Sequence, residues 1–197
     1  MRQHYTTRPR PWQPLSDVEW EALQPYLKER SGPGRPLVDP RRRMDAIFLV
    51  ALAHVPWRRL PPQYGKADTI HRHFRRLAHA GFWELLLRAC ANPATAPELR
   101  SLEHWICRAW RRATRIIGTL RAIRIARALG FLSALRAPAC VLPDPDLSEC
   151  YCRLVAAVFD RYHDCWWEIP DGLLASLRKL LGFAAGWKRV PRRLEFA

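Results

Sequence analysis

Apolar positions recur at helical spacing through almost the whole chain, and no stretch alternates apolar and polar residues as a strand would. Ser16 followed by Glu19 forms a capping box, with Leu15 and Trp20 at the staple positions. A first helix is thus expected from there to about Arg30, with Val18, Leu23 and Leu27 on its apolar side. Asp39–Pro40 is a second helix start, an acceptor followed by a residue that needs no donor. Met44, Ile47, Phe48, Ala51, Leu52 and Val55 then mark a core helix. A third helix, capped by Asp68 or Thr69 and closed by Gly81, has only a narrow stripe of Ile70, Phe74 and Leu77. Phe82 to Ala91 follows as another apolar helix.

Helical periodicity continues beyond residue 97. Leu102, Ile106, Ala109 and Ala113 share one face, beside Trp105 and Trp110. Gly118 breaks this segment from a second one carrying Leu120, Ile123, Ala126 and Leu129. The prolines between Ala137 and Asp146 read as a linker. Ser148 is expected to cap a helix containing Leu154, Val155, Val158 and Phe159, and a last helix runs from Asp171 to Phe183. The fold class is therefore all-α. A helix-turn-helix-like bundle at residues 13–92 is followed by a helical region of unassigned role at 97–187. A flexible basic arm (1–12) and a basic tail (188–197) flank them.

Charge changes the picture. Lys plus Arg number 33 against 18 Asp plus Glu, a formal +15. Almost all of the excess is arginine, whose planar fork pairs bidentately with phosphate and with guanine edges. A polyanionic partner follows, with double-stranded DNA favoured over an anionic membrane. The third helix supplies the matching surface. At about 100° per residue, Arg72, Arg75, Arg76 and His79 lie opposite its apolar stripe, where they would face a major groove. Arg35, Arg41, Arg42, Arg43, Arg58 and Arg59 are the candidates for phosphate or minor-groove contacts. Arg41, Arg42 and Arg43 sit in a helix's first turn, where cations are disfavoured unless a phosphate lies near. Gly34–Arg35–Pro36 resembles the core of an AT-hook, although a plain turn is the reading favoured. The connection from His54 to Asp68 is longer than a standard helix-turn-helix permits. No signal peptide or uninterrupted apolar span is present, so a soluble, cytoplasmic, nucleoid-associated protein is expected.

Little in the sequence points to catalysis. Six cysteines lack the paired spacing of a zinc knuckle. Cys150, Cys152, His163 and Cys165 form the only cluster worth weighing as metal ligands, and on a helix the first two diverge by about 200°. Asp160, Asp164 and Glu168 could form an acidic stripe, but no sheet holds carboxylates at two-metal distance. Phosphate-loop, dinucleotide and nucleophile-elbow motifs are absent. No cofactor or metal is expected.

Residues from about 13 to 92 carry a resemblance. Leu15–Ser16–Asp17 with Trp20, the Gly34–Arg35–Pro36 loop, Pro56–Trp57–Arg58 with Leu60–Pro61, and Tyr64–Gly65 occur in order. Phe74–Arg75–Arg76 follows, ahead of Gly81 and Trp83. Together they resemble the N-terminal helical domain of bacterial insertion-sequence transposases. The resemblance implies binding to terminal inverted repeats, ahead of a ribonuclease H-like domain with a DDE metal triad. The chain departs from that pattern after Asn92, where helices stand in place of the β-strands that would carry the first Asp. The expectation is a sequence-specific duplex DNA-binding protein without the catalytic core. A helical interaction or oligomerisation protein that regulates or partners a transposase is the alternative, with a homo-oligomer or a transposase subunit as partner. A truncated remnant is the third.

Overall fold

The computed structural model describes residues 7–27, 39–187 and 194. Among these residues the structure is helices and single 3-10 turns, with no strand. Helix α1 spans Asp17–Leu23 and ends in a 3-10 turn, shorter than expected. Its capping box is formed: Ser16 Oγ accepts from the Glu19 N–H, and Glu19 accepts from the Ser16 N–H. Helix α2 spans Pro40–Ala53, with Asp39 accepting from the Arg42 N–H. The link to α3 (Ala67–His79) is ordered by two 3-10 turns, Trp57–Arg59 and Pro62–Tyr64. Lys66 stands at the start of α3, where no side chain caps it, so neither Asp68 nor Thr69 takes that role.

Gly81, at φ 77°, turns the chain into α4 (Phe82–Ala91) through the left-handed region that glycine enters without penalty. A short α5 (Pro97–Ser101) precedes α6 (Glu103–Ile117), and Gly118 separates that helix from α7 (Thr119–Leu129). Helix α8 spans Pro145–Tyr162 and α9 spans Leu173–Ala185. The cap of α8 is Asp144, accepting from the Leu147 N–H, and not Ser148. The Asp-Pro signature that opens α2 recurs there and moves the helix start four residues upstream.

One apolar core runs from Leu15 to Leu142. The expected division between residues 13–92 and 97–187 does not fall at a gap in this core, because α6 lies within it, packed on α2, α3 and α4. Trp83, Trp105 and Trp110 are fully buried. Phe48 meets Trp83 edge-on at 6.1 Å and tilts against Trp105 at 5.5 Å, while Phe74 lies 5.4 Å from Trp83. These rings tie α2, α3, α4 and α6 together. Large aromatic side chains bury most area per residue and gain about 0.5–1.5 kcal/mol more from such geometry.

Residues 7–12, expected as part of a loose arm, are strapped to this body. Thr7 N–H donates to Ser133 Oγ at 2.6 Å and its hydroxyl donates to Glu103 at 2.6 Å. Arg10 lies 4.5 Å over the Trp105 ring and pairs with Glu19 at 2.6 Å. Asp45, buried in α2, accepts from the Leu15 N–H at 2.9 Å. Burial raises its pKa, and the Leu15 bond opposes that rise.

Beyond Leu142 the character changes. Helices α8 and α9 pack on each other, and among residues 145–187 only Pro145 and Ala184 are buried. The root of this hairpin is held by the Asp144 N–H to the Ala184 carbonyl and the Trp187 N–H to the Val141 carbonyl, both 2.9 Å.

Candidate nucleic-acid interface

Helix α3 is held from below by Ile70, His73, Phe74 and Ala78, all buried. That anchoring fixes what the rest of the helix presents. Taking His71 as origin and about 100° per residue, Arg75, His79, Arg72 and Arg76 follow one another across roughly 100° of arc. All four are exposed. Arg72 pairs with Asp68 one turn earlier at 2.6 Å, with both side chains largely in solvent. Such an exposed pair contributes at most about 1 kcal/mol and yields readily to a stronger anion. Arg75 and Arg76 are paired with no carboxylate among the described residues.

The two edges of this arc differ. On one side, Arg76 lies 3.5 Å from His73 Nδ1, and Arg43 of α2 adds its charge nearby. Burial, with those two cations behind it, drives the His73 pKa down to about 4, so the ring is neutral. On the other side Arg75 stands one turn after His71, whose pKa burial lowers first and Arg75 lowers further.

His71 lines a cleft of about 540 Å³ between α3, the end of α2 and α6. Arg108, Arg111, Arg112, Arg115 and Arg136 converge on it, and no carboxylate lines it among the described residues. Arg112 donates to the carbonyls of Val50 (3.2 Å) and Val55 (2.7 Å) and lies 4.9 Å over Trp57. Arg111 donates to the Ser133 carbonyl at 2.6 Å. Burial, then repulsion from Arg108, lowers its pKa to about 10, which still leaves it charged near neutrality. The Arg108 Nε is buried with no hydrogen-bond partner among the described residues. Trp57 is stacked on His71 at 5.2 Å, tilted against Phe74 at 5.2 Å and overlain by Arg112 at 4.9 Å, so its ring is already engaged within the fold. The cleft suits phosphate chemistry rather than base stacking.

The remaining candidates are spread around this surface. Arg58 and Arg59 are exposed on the 3-10 turn beside Trp57. Arg42 is exposed and Arg43 half-buried on the first turn of α2. Arg41 is engaged internally, donating to Asp17 and to the Leu15 carbonyl. Its place in a helix's first turn thus needs no external anion. Arg35 lies outside the described residues. The α6 arginines were missed from sequence, although their signal was in view: 108, 111, 112 and 115 fall at i, i+3, i+4 and i+7.

The groups weighed for catalysis do not converge. Cys150 and Cys152 are exposed on α8, and Asp164 is occupied with His163 at 2.9 Å. Among the described residues no group of three or more His, Cys, Asp or Glu is placed to hold a metal ion. No described helix is long and apolar enough to cross a membrane.

Compared with known proteins, residues 15–87 match the family model described as "Putative transposase of IS4/5 family (DUF4096)". The match takes in α1 to α3 and part of α4, just over a third of the chain, and leaves α5 to α9 outside it. No curated protein and no solved structure matches the chain.

Proposed function

We propose, from the match of residues 15–87 to a transposase family, that this chain is a transposase-related protein that binds duplex DNA. The observation that carries the reading is the exposed arc of Arg72, Arg75, Arg76 and His79 on α3, bordered by the arginine-lined cleft of α6. A helix whose underside is buried and whose outer face is cationic is the element that enters a major groove. In this reading Arg75 and Arg76, unpaired with any described carboxylate, contact base edges, and Arg72 joins them once its exposed pair with Asp68 opens. Arg42, Arg43, Arg58 and Arg59 take phosphates along the flanks. Arg108 and Arg115 extend that track, because a strand passing over α3 beside His71 runs along the cleft. Terminal inverted repeats of an insertion sequence are the target class.

The test is binding by the full chain to a repeat-end duplex and to a scrambled duplex, across a salt series. Phosphate contacts make log affinity fall linearly with log salt, with a slope of about −0.9 per phosphate neutralised. Replacing Arg75 and Arg76 together with alanine is expected to cost about 1–3 kcal/mol per base contact and to narrow the gap between the two duplexes. Replacing Arg58 and Arg59 is expected to weaken both equally and reduce the salt slope by about two. Unchanged binding in the Arg75/Arg76 variant would remove α3 from the interface. A flat salt response would remove DNA altogether.

A further inference from the structure

We infer that the α8–α9 hairpin is a self-association arm, which closes against the same hairpin of a second copy of this chain. The starting observation is an apolar surface with nothing over it. Of the large hydrophobic side chains exposed on the described residues, most lie between residues 154 and 187, including Phe159 (68%), Trp166 (71%), Trp167 (67%) and Phe183 (73%). Each fully bared aromatic side chain presents about 200 Å², and a leucine or valine somewhat less. The hairpin's bare hydrophobic side chains therefore sum to roughly 1,000 Å², spread over both of its faces and its tip, since at about 100° per residue Phe183 points away from Leu174 and Leu181.

The seam within the hairpin is incomplete in the same sense. Val158, Tyr162, Leu173, Leu177 and Leu180 are only half-buried where the two helices meet. Leu154, Val155 and Phe159 on α8, with Leu174 and Leu181 on α9, stand bare beside that seam. Two antiparallel helices with a wide apolar face make half of a four-helix bundle, and a second such pair completes its core. A standard stable interface needs about 800 Å² from each partner. The bare residues beside the seam, the half-buried seam and the tryptophans at the tip together come to that order.

Charge leaves this stretch open to a second copy. Residues 1–144 carry 25 Lys and Arg against 11 Asp and Glu, so two copies repel through their bodies. Residues 145–187 carry four basic residues against six acidic ones. The hairpin is thus the stretch through which two such cationic molecules can approach, and an isologous two-fold pairing uses the same surface twice. This inference is independent of DNA binding. It concerns a face that holds none of the α3 or α6 arginines.

The experiment is analytical ultracentrifugation of the full chain without DNA, over a concentration series, beside F159E/L174E. The wild type is expected to be a dimer at micromolar concentration. The variant is expected to be a monomer with unchanged helix content by circular dichroism, its dimer weakened at least about 100-fold, which is about 3 kcal/mol. L120E, which puts the same charge at an exposed apolar position outside the hairpin, should leave the dimer intact. A monomeric wild type would overturn the inference and leave the face to a different partner. So would a dimer that F159E/L174E does not weaken or that L120E weakens equally. Should F159E/L174E lose helix content, F159S replaces it: a smaller, graded loss of dimer at full helix content supports the inference, and none opposes it.

Discussion

Acidification should loosen the α3 face through a buried histidine. His73 is 6% exposed beneath α3 and is held neutral, with a pKa of about 4 against 6.5 when free. Burial is the main cause, and Arg76 and Arg43 reinforce it. The folded state thus takes up this proton less readily than the unfolded chain does. The stability it confers is complete above about pH 6.5 and is lost as pH falls toward 4, where the loss levels off. Between those limits a histidine that titrates only in the unfolded chain costs about 1.4 kcal/mol per pH unit. From pH 6.5 to 4.5 His73 alone accounts for about 2–3 kcal/mol, a large share of the roughly 5–15 kcal/mol of an ordinary domain. His104, with its pKa also held near 4 by burial and by Arg108 and Arg111, adds to the same window, though it is less enclosed. Two carboxylates held by arginine act lower. Glu19 and Asp144 have lowered pKa values, because hydrogen bonds and an arginine partner outweigh their burial. Their contribution is present above the free carboxyl range and disappears only below about pH 4.5.

The assay is urea unfolding followed by tryptophan fluorescence at half-unit steps from pH 7.5 to 4.5. Buried Trp83, Trp105 and Trp110 report the body. Wild type should lose stability steadily below pH 6.5. His73→Gln, which cannot take up a proton there, should show a slope shallower by about 1.4 kcal/mol per unit. A flat wild-type profile above pH 4.5, or an unchanged slope in the variant, would refute the reasoning about His73.

Two further outcomes follow from the packing. Gly186→Ala should detach the hairpin from the body: at φ +69° an added Cβ would lie 2.6 Å from the Leu142 carbonyl carbon and the Pro143 nitrogen, both backbone atoms. A loss of about 2–4 kcal/mol at that junction is expected, read as new proteolytic cleavage near residues 138–144 while the body stays resistant. A truncation ending at Asn92 should lose cooperative unfolding, since it strips α6 from α2, α3 and α4 and takes Trp105 from Phe48, each large side chain so bared being worth about 1.5–3 kcal/mol of burial; a sharp unfolding transition in that fragment would show a core complete without α6.

The apolar stripes, the capping box at Ser16 and the helix break at Gly118 were all legible, because each depends on contacts within a few residues. What depends on distant contacts was not. Nothing in the polar stretch around Thr7 announces that its backbone and hydroxyl meet Ser133 and Glu103, about a hundred residues on. The boundary near residues 92–97 looked natural because Pro93, Pro97 and a change of motif fall there. Yet the second stripe, from Trp105 to Ala113, supplies the far side of the first stripe's core. A stripe's period reveals that it is buried, never against what. The same limit hid the hairpin: its leucines promised burial that α8 and α9 give each other only in part.

For the proposed interface, the arrangement of α6 decides how any arginine variant should be read. Four arginines along one helix face repel one another, and packing of the opposite face offsets that cost. They do not share one role. Arg112 closes the C-terminal end of α2, where cations are favoured, by bonding the Val50 and Val55 carbonyls. Arg111 is bound to the Ser133 carbonyl. Removing either strands buried acceptors, so a binding defect in those variants reports lost architecture as much as lost contact. Arg108 and Arg115 reach the same cleft without a carboxylate or carbonyl partner among the described residues. Their loss leaves the fold's hydrogen bonds intact. If a phosphate enters the cleft, those two side chains are where its absence of native competition would be felt, and where affinity would fall while stability held.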